Sequence, residues 1–242
     1  MALYQLSLSQ FRNHEASRIA AGTRFNVIWG DNGAGKTNIL EAISLLAPGR
    51  GMRRASIDQM ARQTGPGGFA ISAALAGEEV KIGTGTNADA PSRRLVRVNG
   101  AAAAATSLAD WLAVVWLTPA MDRLFLEGAG GRRRFFDRLV LALHPAHARH
   151  AARYEAAMRE RNRLLGETRA VDPGWIDALE ARMAEHGGAM ADARADTLEA
   201  LEVQIDALAD GPFAQPTLAL ERKGPIEAGA LAAALRAGRA RD

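Results

Sequence analysis

The chain has 242 residues, of which 48% are hydrophobic, 24% charged and 5% aromatic, a globular composition that excludes collagen-like, disordered and low-complexity proteins. Cysteine is absent, which excludes disulfides and thiolate metal sites, and with only five histidines we expect no structural zinc. The net charge is +3. The N terminus has no signal-peptide pattern, and the longest apolar run, at 111–117, is too short to cross a bilayer. We therefore expect a soluble cytoplasmic protein with no membrane partner.

Up to residue 118, short strand-like segments alternate with glycine-rich turns. Residues 3–9 mostly alternate apolar and polar side chains and predict a first strand, and the apolar residues of 25–30 predict a second, more buried one. A helix is predicted over 36–46, because its apolar residues share one face. The other predictions are strands at 69–75, 79–82 and 94–98, a loop at 83–91, a turn at 99–100, and a buried strand or helix end at 111–117.

From Arg132 onward the pattern is helical. Three helices are predicted: one that ends near 144–145, one over 146–168, and one that begins at 172–173 and runs to about 208. The last two carry apolar residues at three- and four-residue spacing, which predicts either a plain core-packing stripe or an antiparallel helical hairpin joined at 169–174. After them, 216–220 is strand-like and an alanine-rich helix follows.

The segment 30–37 matches the phosphate-binding pattern G-x-x-x-x-G-K-[ST], with an apolar segment before it and an amphipathic helix after it. Its glycines allow a close backbone approach that a Cβ would block, so N–H groups can surround an anion at the positive end of the helix dipole. Lys36 is expected to contact the β- and γ-phosphates of a nucleotide, and Thr37 to offer its hydroxyl to Mg²⁺. The predicted nucleotide-binding residues are Gly30, Asp31, Asn32, Gly33, Ala34, Gly35, Lys36 and Thr37.

The sequence carries no recognisable residues for hydrolysis. Hydrolysis needs a carboxylate for Mg²⁺, usually at the end of another apolar strand, and a group that orients water. The nearest match, Asp206, lies within the third predicted helix, and the 242 residues contain no Leu-Ser-x-Gly-Gln signature loop. The pattern therefore predicts nucleotide binding and assigns no catalytic residue.

Three adjacent arginines, Arg132, Arg133 and Arg134, open the first helix of the second half. They fan over a wide arc and are unfavourable at the positive end of a helix dipole, so an anion is expected to compensate them. That anion is either a phosphate of DNA or of a nucleotide, or a carboxylate of the protein itself. The candidate carboxylates are Asp122, Glu127 and Asp137.

Two further groups of polar residues lie in the helical half. A basic set is expected to form a solvated face, because Glu155 and Glu160 are interleaved with it. Its members are Arg149, Arg153, Arg159, Arg161 and Arg163. His144, His147 and His150 have helix-like spacing, so a metal site formed by them is one hypothesis. No acidic ligand accompanies them in the sequence to support it.

Four stretches of the chain resemble the RecF family of bacterial SMC/ABC-type ATPases. The two specific ones are a Walker A segment of the Asn-Gly-x-Gly-Lys form and a signature that ends in Arg-Arg-Arg-Phe-Phe-Asp. In chain order, 6–13 is similar to the family's opening strand, 30–43 to its Walker A segment, 119–137 to its signature and 154–165 to its helical-arm motif. The resemblance covers about 3–210.

The resemblance implies an α/β fold, with a P-loop ABC/SMC-type ATPase lobe that contains a mixed sheet, followed by an all-helical lobe with a helical hairpin. The predicted boundaries are 1–118 for the ATPase lobe, 119–212 for the helical lobe, and 213–242 for the start of a return into the ATPase lobe.

The resemblance also implies a function. ATP and Mg²⁺ would be the cofactors, held at residues 30–37, and ATP would drive self-association into a dimer that clamps duplex or gapped DNA. Arg132, Arg133 and Arg134 would contact DNA phosphates or the neighbouring lobe. RecR and RecO would be partners in DNA replication, recombinational gap repair and SOS induction, and the ATPase activity would be weak and stimulated by DNA.

The chain departs from the family pattern at three places. Ala120 stands where the family has an acidic residue, with Asp122 two places on, and Thr118 stands near the family's Q-loop glutamine. The signature loop, the Walker B Asp-Glu and the switch region are not found in these 242 residues. One alternative is therefore a truncated P-loop fragment that binds nucleotide weakly, exposes a sheet edge and hydrolyses little. Another is a different P-loop protein, such as a transporter ATPase subunit or a small-molecule kinase.

Overall fold

The computed structural model describes residues 2–22, 24–77, 79–126, 128–167, 172–208, 214–221, 224 and 227–239. The chain forms two compact units, Met1–Gly128 and Ala129–Asp242. The first unit ends beyond the predicted boundary at residue 118, because a 3-10 helix at Pro119–Arg123 still belongs to it. No helix in the described ranges is long and apolar enough to cross a membrane.

A single sheet dominates the described part of the first unit. Its strands are β1 (Leu3–Phe11), β2 (His14–Ala20), β3 (Phe69–Leu75), β4 (Val80–Asn87), β5 (Ala90–Val98) and β6 (Ala101–Ala102). They lie side by side in the order β2-β1-β3-β4-β5-β6, and every neighbouring pair is antiparallel. The parallel component of the predicted mixed sheet is therefore not found among the described strands.

One face of the sheet packs on α1 (Lys36–Ser44), the helix that follows the phosphate-binding pattern. Alternate residues of each strand point to this face, as the two-residue period of a strand requires. Leu6, Ile71 and Ile82 come from three different strands and are buried there, and Leu45 and Leu46 at the end of α1 are buried with them. This core fixes the helix whose N terminus closes the phosphate-binding loop.

The segment 25–30, predicted as a buried strand, has no strand structure and pairs with none of the described strands. Phe25, Val27 and Trp29 are 95%, 84% and 88% exposed. The prediction is wrong because it used apolar composition alone, whereas a strand also needs a neighbour that satisfies its backbone hydrogen bonds. An exposed, extended segment therefore leads into the phosphate-binding loop.

The loop predicted at 83–91 is mostly strand. β4 continues to Asn87, β5 begins at Ala90, and the two pair directly there. Glycine often indicates a loop, but in this sheet it allows two backbones to pack closely. A Cβ on Gly85 would lie 2.1 Å from the carbonyl oxygen of Phe69. The prediction failed because glycine has this second use inside a sheet.

The predictions for the edge strand β2, for the turn at 99–100 and for the segment 111–117 have different outcomes. β2 was not predicted, because it is an edge strand with mostly exposed, polar residues. The turn at Asn99 and Gly100 is confirmed, with φ of 48° and 83° as in a type I′ hairpin turn. The prediction of a buried strand or helix end at 111–117 is wrong: a 3-10 helix ends before it, at Asp110, no residue of the segment is strand or helix, and Leu117 is 78% exposed.

Four helices form the described part of the second unit. They are α2 (Ala129–Leu143), α3 (His147–Leu165), α4 (Pro173–Asp206) and α5 (Ala228–Gly238). The predicted start of α4 is confirmed, since the Asp172 side chain accepts a hydrogen bond from the Gly174 N–H at 2.9 Å and Pro173 is the first helical residue.

The predicted helical hairpin is confirmed by the pairing of α3 with α4. His150 near the start of α3 meets His186, whereas Arg161 near its end meets Glu180, so the two helices run antiparallel. The apolar seam between them is a compact cluster; its buried members are Ala157, Leu164, Ile176, Leu179 and Met183. Residues 169–171 of the turn predicted at 169–174 lie outside the described residues.

The segment after residue 213, predicted to begin a return into the ATPase lobe, is grouped with the helical unit. α5 packs against α4, where Leu235 contacts the apolar cluster and Arg239 donates to Glu180 at 2.9 Å. The strand predicted at 216–220 does not form, because no described strand lies beside it.

Candidate functional site

The phosphate-binding loop has the backbone conformation that its glycines predict. Gly30, Gly33 and Gly35 have φ of 144°, 88° and 99°, a region that L-residues with a Cβ seldom occupy. Gly35 is the N-cap of α1, and its carbonyl accepts the N–H groups of Asn38 and Ile39. The loop thus passes directly into the helix N terminus, where an anion is favoured.

The two sides of the loop differ. A Cβ on Gly35 would lie 2.7 Å from both Asn13 Oδ1 and His14 Nε2, so this side is closed by the turn between β1 and β2. A Cβ on Gly33 would meet nothing within 4 Å. The loop therefore has a packed back and an open front, as a phosphate cradle requires.

Lys36 lies over the loop. Its Nζ donates to the carbonyl oxygens of Gly30 at 2.6 Å and Asp31 at 2.8 Å. Thr37, in the first turn of α1, is exposed, as are Asn32 and Gly33 in the loop. The structure therefore places all the predicted nucleotide-binding residues on one continuous loop and helix start.

The β1–β2 turn braces the loop, a role that the sequence did not reveal. Asn13 Nδ2 donates to the Gly33 carbonyl at 3.2 Å and its Oδ1 accepts from Asn38 Nδ2 at 2.8 Å. His14 Nε2 lies 3.4 Å from the Gly35 carbonyl, and its Nδ1 lies 2.9 Å from the Ser17 hydroxyl. These residues are about twenty positions from the loop, so only the hairpin brings them to it.

A buried carboxylate on α1 holds two arginines beside the loop. Arg12 donates to both oxygens of Glu41, at 2.9 and 2.7 Å, and the Glu41 side chain is 1% exposed. Arg53 donates to Glu41 at 3.3 Å and to Asn38 at 3.0 Å. A bidentate guanidinium pair is the geometry that compensates a buried carboxylate. Glu41 thereby ties β1, α1 and the residues after α1 into one support for the loop.

The far end of α1 is held by Arg94 of β5. Its guanidinium donates to the carbonyl oxygens of Leu45, Ala47 and Gly49, and to Thr84 Oγ1 at 2.9 Å. Burial lowers the pKa of Arg94 to about 10, because the charged form is removed from water. A cation at the negative end of the helix dipole stabilises α1 in the position that presents its N terminus.

The three arginines of the second unit lie in the first turns of α2, where Arg132, Arg133 and Arg134 are all exposed. Asp137, one of their candidate partners, is bound instead by Arg194 at 2.7 and 3.0 Å and lies 3.6 Å from His147 Nε2. Burial raises the pKa of Asp137, but hydrogen bonds from His147 and Arg194 outweigh it and leave the pKa below its usual value. Glu127, another candidate partner, lies outside the described residues.

The basic set of α3 is a solvated face with one exception. Arg159 pairs with Glu155 at 3.5 Å, and Arg163 pairs with Glu160 at 2.7 Å. Arg161 is 2% exposed and belongs to the buried seam. The prediction of a solvated face is therefore wrong at Arg161, because its helical position points it at α4.

The three histidines with helix-like spacing do not form a metal site together. His147 faces Asp137, while His150 faces His186 of α4. Across the described ranges, no three histidine, aspartate or glutamate side chains are arranged around a possible metal. In the first unit, Ala120, which departs from the family pattern, and the nearby Asp122 are exposed on the 3-10 helix.

Comparisons with known proteins agree with this architecture. A family model described as an AAA domain matches residues 5–103. The DNA replication and repair protein RecF of Mesorhizobium japonicum is 51% identical over 229 residues, which cover 93% of this chain and 60% of that protein. The protein of the same name from Rhizobium rhizogenes is 46% identical over 258 residues, which cover 98% of this chain and 67% of that protein.

A solved structure of the recombination mediator protein RecF with ATP, from the RecFOR pathway, is similar in fold. Its TM-score is 0.71 at 23% identity, over 85% of this chain and 56% of that one. This likeness confirms the predicted fold class of an ATPase lobe followed by a helical lobe. The chain spans about 60% of the length of the Mesorhizobium relative. Because it is 46% identical to a curated relative over two thirds of that relative's length, the chain belongs to the RecF family.

Proposed function

We propose that the chain is the ATP-binding part of a cytoplasmic DNA replication and repair protein of RecF type. The observation that supports this most is the conformation of the loop at 30–37. Three of its glycines have positive φ, the space beside Gly33 is open, and the Lys36 ammonium group lies against the Gly30 carbonyl. Combined with membership of the RecF family, this geometry favours ATP as the ligand.

Lys36 would exchange partners when ATP binds. Its ammonium group rests on two neutral carbonyl oxygens, of Gly30 and Asp31. Phosphate oxygens are charged acceptors, so the ammonium group gains an attraction between opposite charges that neutral carbonyl oxygens do not offer. The β- and γ-phosphates would therefore displace the carbonyls, while the loop N–H groups and the α1 dipole hold the remaining charge.

Thr37 fits the role of a magnesium ligand. It occupies the first turn of α1 next to Lys36 and is exposed. Mg²⁺ prefers oxygen ligands and keeps several waters, so one hydroxyl together with phosphate oxygens suits it. When bound, the ion would neutralise charge on the phosphates.

DNA is the proposed macromolecular ligand. Arg132, Arg133 and Arg134 lie together at the start of α2, where all three are exposed. Arginine forks bind phosphate oxygens without reading bases, which fits duplex or gapped DNA of any sequence. By relation to the RecF proteins, we extend the proposal to ATP-driven self-association, to RecO and RecR as partners, and to roles in gap repair and SOS induction.

A second candidate is nucleotide binding without DNA clamping or appreciable hydrolysis. The exposure of Phe25, Val27 and Trp29 favours it, since a strand that carries a P-loop in a complete sheet is normally buried on both faces. The two candidates share the same nucleotide site and differ in whether ATP changes the affinity for DNA.

The test is the anisotropy of a fluorescent duplex and of a gapped duplex, titrated with the chain in the presence and absence of ATP and Mg²⁺. We expect ATP to tighten DNA binding and Lys36→Ala to remove the ATP effect. The triple variant R132A/R133A/R134A should weaken binding in all conditions and flatten the dependence of log K on log salt by about 0.9 for each DNA phosphate that the variant no longer neutralises.

The control for charge is the double variant R159A/R163A, which removes two arginines already paired with glutamates on α3. It should leave the salt dependence nearly unchanged. DNA binding that ignores ATP in the wild type would favour the second candidate. An ATP effect that survives in Lys36→Ala would contradict the assignment of this loop.

A further inference from the structure

Two histidines of the second unit meet across the hairpin. Nδ1 of His150 on α3 lies 3.3 Å from Nδ1 of His186 on α4, and the ring centroids are 5.3 Å apart at 67°. His186 is 5% exposed, while His150 is partly open to solvent. The pair is separate from the nucleotide site, which belongs to the first unit.

The distance between the two nitrogens has a specific chemical meaning. A metal bound by imidazole has metal–nitrogen bonds of about 2.0–2.1 Å, and a tetrahedral angle then places two such nitrogens about 3.3–3.4 Å apart. The observed 3.3 Å is long for a strong hydrogen bond from an N–H donor, which prefers about 2.9–3.0 Å. With the ring protons on Nε2, each Nδ1 carries a lone pair, and the two nitrogens lie at the separation that one tetrahedral metal requires.

Charged side chains of both signs surround the histidine pair. Burial lowers the pKa of His150, and the neighbouring His186, Arg153 and Arg149 lower it further, while Glu185 raises it. Glu185 Oε1 also lies 3.7 Å from His186 Nδ1 and would offset part of the charge of a bound cation.

We propose that His150 and His186 form a two-imidazole site for a divalent transition metal of the Zn²⁺ class, which links α3 to α4. No third histidine or carboxylate is arranged with them in the described residues, so water completes the coordination shell. Imidazole suits Zn²⁺, Ni²⁺ and Cu²⁺, whereas Mg²⁺ prefers oxygen ligands. The site therefore discriminates against the metal that the nucleotide would bring.

The test is a calorimetric titration of ZnCl₂ into the full chain, without a histidine tag and after removal of metals with EDTA. We expect one Zn²⁺ per chain, binding at least tenfold weaker in His150→Gln and in His186→Gln, and a rise in melting temperature with Zn²⁺ in the wild type only. Co²⁺ should give a visible absorption band that both variants lose. His144→Gln removes a histidine outside the pair and should match the wild type.

Because His186 is buried, the Zn²⁺ affinity of His186→Gln is compared with the wild type only if the two circular dichroism spectra agree. If they differ, the affinity of His150→Gln alone tests the proposal. Equal Zn²⁺ affinity in the wild type and His150→Gln would overturn the proposal, as would displacement of Zn²⁺ by millimolar Mg²⁺. Absence of Zn²⁺ binding in the wild type would overturn it as well and would show that the two rings share only a proton.

Discussion

Replacing Gly35 by valine is expected to abolish ATP binding. Gly35 has φ of 99°, where a residue with a Cβ is strained by about 1–3 kcal/mol. The added Cβ would also lie 2.7 Å from Asn13 Oδ1 and His14 Nε2, which are side chains that brace the loop. Either the backbone or the brace must move, and both moves shift the N–H groups that would surround the phosphates. Fluorescence titration with a labelled ATP analogue measures the effect.

Gly77→Val is the matched control for backbone strain. Gly77 lies in the turn after β3, has φ of 106°, and a Cβ there would meet nothing within 4 Å. We expect a decrease of about 1–3 kcal/mol in unfolding free energy and no change in ATP affinity. Normal ATP affinity in Gly35→Val, or an equal decrease of affinity in both variants, would contradict the role given to the packed back of the loop.

Replacing Glu180 by alanine is expected to destabilise the helical unit by about 3–5 kcal/mol, the range found when one partner of a buried ion pair is removed. Glu180 is 2% exposed and accepts from Arg161 at 2.9 Å, and Arg161 is also 2% exposed. Arg239 of α5 donates to the same carboxylate. The variant would remove the Glu180 carboxylate from the buried guanidinium of Arg161 and from Arg239, which would keep its contact with Asp177.

Urea unfolding followed by circular dichroism at about 222 nm, where helices absorb, measures this change. Glu199→Ala, which removes an exposed glutamate from the same helix, should alter stability by less than about 0.5 kcal/mol.

Burial raises the pKa of Glu180, but hydrogen bonds from Arg239 and Arg161 outweigh it, so the folded pKa lies below the reference value of 4.5. Its stabilising effect is therefore complete above the reference pKa and is lost as the pH falls through the folded pKa. A wild-type-like unfolding curve for Glu180→Ala would contradict the buried pair.

The parts of the fold that could be predicted from sequence depend on local pattern. The N-cap at Asp172, the hairpin of α3 and α4, and the turn at Asn99 follow from residues within a few positions of one another. The strand predicted at 25–30 failed because pairing is decided by residues far along the chain. The charge of Arg161 favours a solvated face, whereas its position along α3 points it at α4, and its contact with Glu180 places it in the seam.

The candidate site divides in the same way. The glycines, Lys36 and Thr37 form one contiguous pattern with a known physical use, so the sequence was enough to find them. The supporting residues Arg12, Asn13 and Arg53 are ordinary polar residues in turns, and no spacing distinguishes them. Only the antiparallel β1–β2 hairpin and the packing of α1 on the sheet bring them to the loop.

The most direct test of the account is a calorimetric titration of ATP with Mg²⁺ into the wild-type chain, with Lys36→Ala measured alongside. We predict one site per chain in the wild type. Because Lys36 would make charge-assisted hydrogen bonds of about 1.5–3 kcal/mol each to two phosphates, affinity should fall by about 100-fold or more in the variant. A folded wild-type chain that does not bind ATP, or equal binding by both proteins, would contradict the assignment of residues 30–37 as a nucleotide site.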